Sequence, residues 1–349
     1  MVENSIKLYL NEENLIHNMK YLSNYKQKKI LPVVKANAYG HGLEEIVGLL
    51  YKNGQREFAV ARYVEAEKIF KMGLEDVRIL VFESIGDLAL VKDKKSIEVS
   101  ANTFEELRKI LEFGIESSRI QIKIDFGFGR NGIFLNEVDE LKKYIQEKKL
   151  KFRGIYSHLF SVNYEEGLEY IEIFREVLNK LGKDRFEMIH LQNSAATLSF
   201  DCNFVTHIRV GMLIYGLQEV GFYDSNLKQV FSLEGTVAGI RDISDNKYIA
   251  YGTKEELDFL GAKYIAKIKI GYGDGFLKVN EKSKCLINNK EFPIVLVSMD
   301  NTFIEVDTSV KVGDKVVLYY DISKITAHNR MNIYEMMTIL SPRIERVIK

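Results

Sequence analysis

The sequence predicts an α/β chain with a β-rich second part. An N-terminal (β/α)8 TIM-like barrel is expected over residues 1–225 and a C-terminal β domain over 226–349. Three observations lead there. Short β-rich runs alternate with helix-period segments through the first two thirds of the chain. Those runs are largely apolar throughout, as in a parallel sheet covered on both faces. Eight of them fit into about 200 residues, the strand count of such a barrel.

The expected strands, in order, are 31–36 (LPVVKA), 58–62 (FAVAR), 77–82 (VRILVF) and 97–101 (IEVSA). They continue at 120–126 (IQIKIDF), 152–159 (FRGIYSHL), 186–192 (FEMIHLQ) and 206–210 (THIRV). Helical periods such as LEEIVGLLYKN, TFEELRKILEFG and EEGLEYIEIFREVLNKLG lie between them. Asn102, followed by Thr103 and Glu105, reads as a helix start. A doubly wound open sheet is the alternative, but no glycine-rich phosphate turn follows the first strand. The pattern changes near residue 225, with a boundary at 222–230. Strands without intervening helices are expected at 230–240, 247–251, 263–270, 284–287, 293–298, 303–306 and 315–320. Asp274-Gly275 and Gly313-Asp314 supply turn signals between some of them.

Composition removes several function classes. Lys plus Arg equals Asp plus Glu at 49 each, so the chain lacks the basic footprint of a nucleic-acid binder. No run of about 18 apolar residues suggests a membrane span. The N-terminal MVENSIKLYLNEEN lacks the basic-then-apolar order of a signal peptide. Cys202 and Cys285 are far apart and make no metal spacing, which suits a reducing cytoplasm.

In a barrel of this kind, active sites collect at the C-terminal ends of the strands. Lys35 closes the first expected strand and leads into Tyr39. Arg130, between glycines, follows the fifth, and His158 closes the sixth. Asn193-Ser194 follows the seventh, and Arg209 with Gly211 ends the eighth. Taken singly, each has a plain reading: a lysine that snorkels to solvent, a satisfied core histidine, a helix-capping serine. The sharper reading of Lys35 is a Schiff-base lysine. Apolar walls favour its neutral amine, which can attack an aldehyde.

VVKANAYGHG resembles the cofactor-lysine motif of alanine racemases. The likeness continues in order through KIDFGFGRNGI, YSHL, HLQNSAATL, IRVGMLIYG, AYG, IGYGDGF, SMD and IYE, across nearly the whole chain. It implies a pyridoxal 5'-phosphate enzyme that interconverts L- and D-alanine, supplying D-alanine for peptidoglycan. It also implies a homodimer with shared active sites. By this resemblance Lys35 holds the cofactor and is one of two proton-transfer groups. Tyr251 of the partner subunit is the other. A proton must leave one face of the α-carbon and arrive on the other, so two groups are needed. Arg209 would face the pyridine nitrogen as a donor that never gives up its proton. His158 would link Tyr251 to Arg209. Tyr39, Asn193, Ser194, Gly211, Met212 and Tyr334 would surround the cofactor and its phosphate. Arg130, Tyr272 and Met299 would meet the substrate, the last two across the dimer. Lys123 matches a position that can be carbamylated to support Arg130.

The chain departs from the family pattern at Val210 (usually Pro) and Ser298 (often Cys). It also departs at Leu159-Phe160 with the following Ser161-Val162-Asn163, and in the charged run Lys254-Glu255-Glu256. These affect pocket size rather than catalytic groups. They leave a racemase of serine or of a basic amino acid as an alternative. A fold-related decarboxylase would pair the ring nitrogen with a carboxylate, where this chain has Arg209. A non-catalytic cofactor carrier would lack a second domain.

Overall fold

The computed structural model describes residues 6–160, 163–218, 224–255, 261 and 263–349. Ser161, Val162 and Glu256, and part of the expected boundary at 222–230, lie outside the described residues.

The chain opens with a strand that the sequence reading did not anticipate, β1 (Lys7–Leu10). Eight parallel strands then form the barrel. They are β2 (Lys29–Pro32), β3 (Glu57–Val60), β4 (Arg78–Val81), β5 (Ile97–Ala101), β6 (Ile120–Asp125), β8 (Phe152–Tyr156), β9 (Phe186–His190) and β10 (His207–Val210). A two-residue strand, β7 (Ile133–Phe134), pairs with β6. The spatial order is β2-β10-β9-β8-β6-β5-β4-β3. The ring meets at a single bridge between Val33 and Ala59, where Val34 N donates to Ala59 O at 2.8 Å. Every residue of β5, β6 and β8 is buried, as expected for strands covered on both faces. Helices form the cover. Phe104–Glu112 turns Phe104, Leu107 and Ile110 inward at helical spacing. Its cap is Thr103, which accepts from Glu106 N at 3.0 Å, rather than the expected Asn102. The Asn102 side chain is committed elsewhere, donating to Phe82 O and Ser84 Oγ.

The second sheet has nine strands in the order β12-β15-β18-β17-β16-β19-β11-β1-β20. Its members are β11 (Phe231–Thr236), β12 (Gly239–Asp242), β15 (Tyr264–Ile268), β16 (Lys284–Ile287), β17 (Lys290–Val297), β18 (Thr302–Val306), β19 (Lys315–Val317) and β20 (Glu345–Ile348). The expected single strand at 230–240 is thus two strands. β1 is seated between β11, antiparallel, and β20, parallel. Residues 7–10, which the sequence reading grouped with the barrel, therefore pair with the β-rich part. A small hairpin of β13 (Tyr248–Ile249) and β14 (Gly252–Thr253) carries Tyr251 at its tip. Ile249 anchors that hairpin in a separate cluster with Ile243, Ile265 and Val295. Two C-terminal helices, Ile322–Asn329 and Ile333–Thr338, complete this part. No helix among the described residues is long and apolar enough to cross a membrane.

Candidate active site

Strand β2 ends at Pro32, three residues earlier than Lys35, so Lys35 does not close a strand as expected. It opens a tight turn. Ala36, Asn37, Ala38 and Tyr39 all have φ between 51° and 56°, and Gly40 follows at 83°. Each non-glycine residue in that region costs roughly 1–2 kcal/mol, so the surroundings must hold the turn in place. Glu65 grips one side: Oε1 accepts from Ala36 N at 2.6 Å, and Oε2 from Ala61 N and Arg62 N at 2.9 and 3.0 Å. The Asn37 side chain accepts from Leu43 N at 2.9 Å. On the far side Arg346 donates twice to Gly40 O. A Cβ at Gly40 would stand 1.9 Å from Met337 O, so only glycine lets the last helix approach. The β-rich part thus holds the turn that aims Lys35.

His41 completes this support. It stacks on Tyr215 at 4.3 Å, its Nδ1 donates to Ala38 O at 2.8 Å, and its Nε2 has no partner among the described residues. Burial pushes its pKa down to about 4. The unfolded chain binds a proton near pH 6.5 that the fold refuses, so the neutral ring stabilises the fold fully above that pH. That contribution is lost as pH falls toward 4, by up to roughly 3 kcal/mol. Urea midpoints from pH 7 to 4 should therefore fall less steeply for His41→Phe than for the parent. Parallel curves would remove His41 from the account.

A cavity of about 570 Å³ opens at the C-terminal ends of the barrel strands. Its lining includes the cationic and imidazole side chains of Lys35, Lys123, Arg130, His158 and Arg209. Tyr39, Asn193, Ser194, Gly211 and Tyr334 line it as well. Met212 does not line it but shares a small separate pocket with Ser194 and Tyr334. Burial, then the charges of Arg130 and Arg209, push the Lys35 pKa below that of an ordinary lysine. Glu65 and Glu83 offset this in part. Burial and the same two arginines bring Lys123 down to about 8.

Arg209 is buried and fully anchored. Nη1 bonds His190 Nδ1 at 2.9 Å and Nη2 donates to Ser157 O at 3.0 Å, with His158 Nδ1 at 3.4 Å. Burial lowers its pKa to about 10, so it stays a cation at neutral pH. Burial, then Arg209 and the other cations, bring His158 down to about 3, leaving a neutral ring. Arg130 sits in a loop wound around Asp125, whose carboxylate accepts from Gly127 N, Phe128 N and Gly129 N at 2.8–2.9 Å. The guanidinium lies 4.6 Å over the Phe128 ring and makes no ion pair among the described residues.

Ser194 Oγ accepts from Gly211 N at 3.3 Å. A Cβ at Gly211 would meet the Tyr39 hydroxyl at 2.4 Å, so glycine is needed for that approach. The Asn193 side chain is engaged in local hydrogen bonds. It caps the next helix through Ala196 N and donates to Leu159 O, both at 2.9 Å. Leu159 and Phe160, where the family pattern has smaller residues, also line the cavity.

Besides Met212, three expected residues do not line this cavity. Tyr251, Tyr272 and Met299 lie on the β-rich part and are 89%, 41% and 56% exposed. Tyr272 and Met299 are held side by side, with Tyr272 N donating to Ser298 O and Gly273 N to Met299 O. Lys254, just after Tyr251, is tied down through Ile243 O at 2.6 Å. Sequence reasoning missed Glu65, Asp125, His190 and Arg346. Asp125 and His190 stood inside the quoted motifs, but nothing in the sequence singled out Glu65 or Arg346. No group of His, Cys, Asp and Glu among the described residues could hold a metal.

Residues 10–219 match the family model "Alanine racemase, N-terminal domain", and residues 230–348 match "Alanine racemase, C-terminal domain". An alanine racemase of Clostridium novyi (strain NT) is 31% identical over 97% of this chain and 94% of its own length. The crystal structure of alanine racemase from E. faecalis superposes with a TM-score of 0.86 at 25% identity, covering 100% of this chain and 99% of that one. That of Bartonella henselae, with covalently bound pyridoxal phosphate, has a TM-score of 0.84 at 23% identity, covering 99% of both chains.

Proposed function

The chain belongs to the alanine racemase family, and on that premise we propose that it interconverts L- and D-alanine with pyridoxal phosphate, as a homodimer with shared sites. The product D-alanine would serve peptidoglycan synthesis. The observation that carries the reading is one cavity joining Lys35, whose ammonium is destabilised, to Arg209, which can only donate.

The donor set suits the cofactor. Lys35 offers an amine that loses its proton more easily than usual. The Tyr39, Ser194 and Tyr334 hydroxyls, with backbone N–H groups at Gly211 and Met212, suit a phosphate without a lysine cluster. Arg209 suits an unprotonated ring nitrogen, and Asn193 orders the Ser194 segment. Bound there, pyridoxal phosphate supplies an aldehyde for the substrate amine and a conjugated ring that withdraws electrons from the α-carbon. Arg209, which keeps its proton, would donate a hydrogen bond to the ring nitrogen without protonating it, so the withdrawal would be moderate and rapid return of the proton favoured over side reactions.

Lys35 then moves a proton on one face of the α-carbon, and Tyr251 of the partner subunit on the other. His158 Nδ1 faces Arg209, so the neutral ring keeps its hydrogen on Nε2, a donor suited to the tyrosine oxygen. Arg130 orients the substrate carboxylate, with Tyr272 and Met299 of the partner subunit bounding the substrate. Lys123, brought down to about 8, has enough neutral amine to capture carbon dioxide as a carbamate beside Arg130.

The test is direct. The protein loaded with pyridoxal phosphate is incubated with a panel of L-amino acids in heavy water. Loss of the α-proton signal and the D enantiomer are followed together. L-Alanine alone should exchange and racemise. Racemisation of serine or a basic amino acid in its place would redirect the reading to that substrate. No exchange on any amino acid with cofactor bound would end the racemase reading.

A further inference from the structure

The interior of a (β/α)8 barrel is usually filled by layers of branched apolar side chains. Here a polar row runs through it. At the end remote from the cavity, His207 Nε2 meets Glu57 Oε2 at 3.0 Å, and Glu57 pairs with Arg153. Arg153 Nε donates to Glu98 Oε1 at 2.8 Å, and Arg78 Nη1 donates to the same oxygen at 3.1 Å. The other carboxylate oxygen, Oε2, accepts from Gln121 Nε2 at 2.6 Å. Gln121 Oε1 lies 2.7 Å from His190 Nε2, and His190 Nδ1 meets Arg209 at 2.9 Å. Glu98, Gln121 and His190 are each at most 2% exposed. A Cβ at Gly154 would stand 2.8 Å from Gln121 Oε1, so the neighbouring strand leaves room for that amide.

We infer that Glu98, acting through Gln121 and His190, is a positioning residue for Arg209: it decides which His190 nitrogen carries the hydrogen. This rests on the reading that Arg209 holds the cofactor ring nitrogen. The direction of every bond is forced. The carboxylate of Glu98 only accepts, so the Gln121 NH2 must face it and the Gln121 carbonyl must face His190. His190 therefore donates through Nε2. Full burial keeps the ring neutral with one hydrogen, so Nδ1 is left as a lone pair. That lone pair is the only kind of group a guanidinium can use. The other tautomer would set N–H against N–H and release Arg209 from one of its two short anchors.

The substitution Glu98→Gln inverts the relay. Its carbonyl oxygen must still serve Arg153 and Arg78, which turns its NH2 toward Gln121. Gln121 then flips and presents its own NH2 to His190 Nε2. His190 is driven to carry its hydrogen on Nδ1, facing Arg209.

The test uses the full chain labelled with 15N-histidine, with and without pyridoxal phosphate. In the parent protein His190 should show a protonated Nε2 and a bare Nδ1. In Glu98→Gln the pattern should reverse, and the apparent dissociation constant for pyridoxal phosphate should rise about tenfold, the weight of one charge-assisted hydrogen bond. A bare Nε2 in the parent protein overturns the inference without any variant. An unchanged tautomer in a folded Glu98→Gln, with cofactor affinity within about twofold, overturns it as well. The tautomer readout needs no racemase activity, so a failure of the proposed reaction would show separately.

Discussion

Replacing Lys35 with alanine will leave a folded protein that no longer holds pyridoxal phosphate covalently. It will racemise alanine at no more than about a thousandth of the parent rate. The fold should survive because the Lys35 ammonium makes no hydrogen bond to another described residue. The turn is instead held by Glu65, Asn37 and Arg346 through backbone groups. The expected loss is therefore chemical: under the proposed roles, the amine that would engage the aldehyde and the group that would move a proton on one face disappear together. Borohydride treatment followed by mass measurement checks the first, and chiral product analysis the second. Lys35→Arg sharpens the result. Arginine restores the charge but holds its proton at any working pH, so it should be as inactive as the alanine variant. A Lys35→Ala protein with the parent rate would remove Lys35 from the mechanism.

LPVVKA reads as a strand through Ala36, whereas the strand stops at Pro32 and a left-handed turn follows. Of Ala36, Asn37 and Ala38 only the asparagine favours that conformation, and one asparagine does not announce a run of four such residues. The turn is imposed by a carboxylate from another helix and an arginine from the last strand, hundreds of positions away in the case of Arg346. β1 was illegible for the same reason, because its partners are in β11 and β20. The barrel strands were legible because each is a local apolar run bounded by polar turns. The cavity residues were legible as a set because barrel geometry gathers strand ends whatever the details of each loop. Nothing in IEVSA or IQIKIDF singles out Glu98 or Gln121. Their role emerges only when register sets Ser100 beside Gln121 and Gln121 beside Gly154, placing them in one interior row.

Tyr251 is where one chain alone is insufficient. At 89% exposure on a hairpin tip Tyr251 packs against little of its own chain, and it does not line the cavity around Lys35. Both facts are accounted for if the partner subunit supplies the tyrosine, and this has a quantitative consequence. Tyr251→Phe and Lys35→Ala should each be nearly inactive as homodimers. When the two variants are unfolded together and reassembled at random, half of the dimers carry one of each. In such a dimer one site has lost both groups and the other has kept both. Activity should therefore return to about a quarter of the parent value, an outcome available only to a two-fold assembly that shares its sites. If Tyr251 served the cavity of its own chain, each subunit would stay defective in any mixture and no activity would return. Tyr251→Phe alone should also split the two half-reactions. Exchange of the α-proton with heavy water should persist from one enantiomer through Lys35, while net conversion falls by roughly 10²–10⁴. Equal loss of exchange from both enantiomers would argue that Tyr251 positions the substrate and does not itself carry the proton.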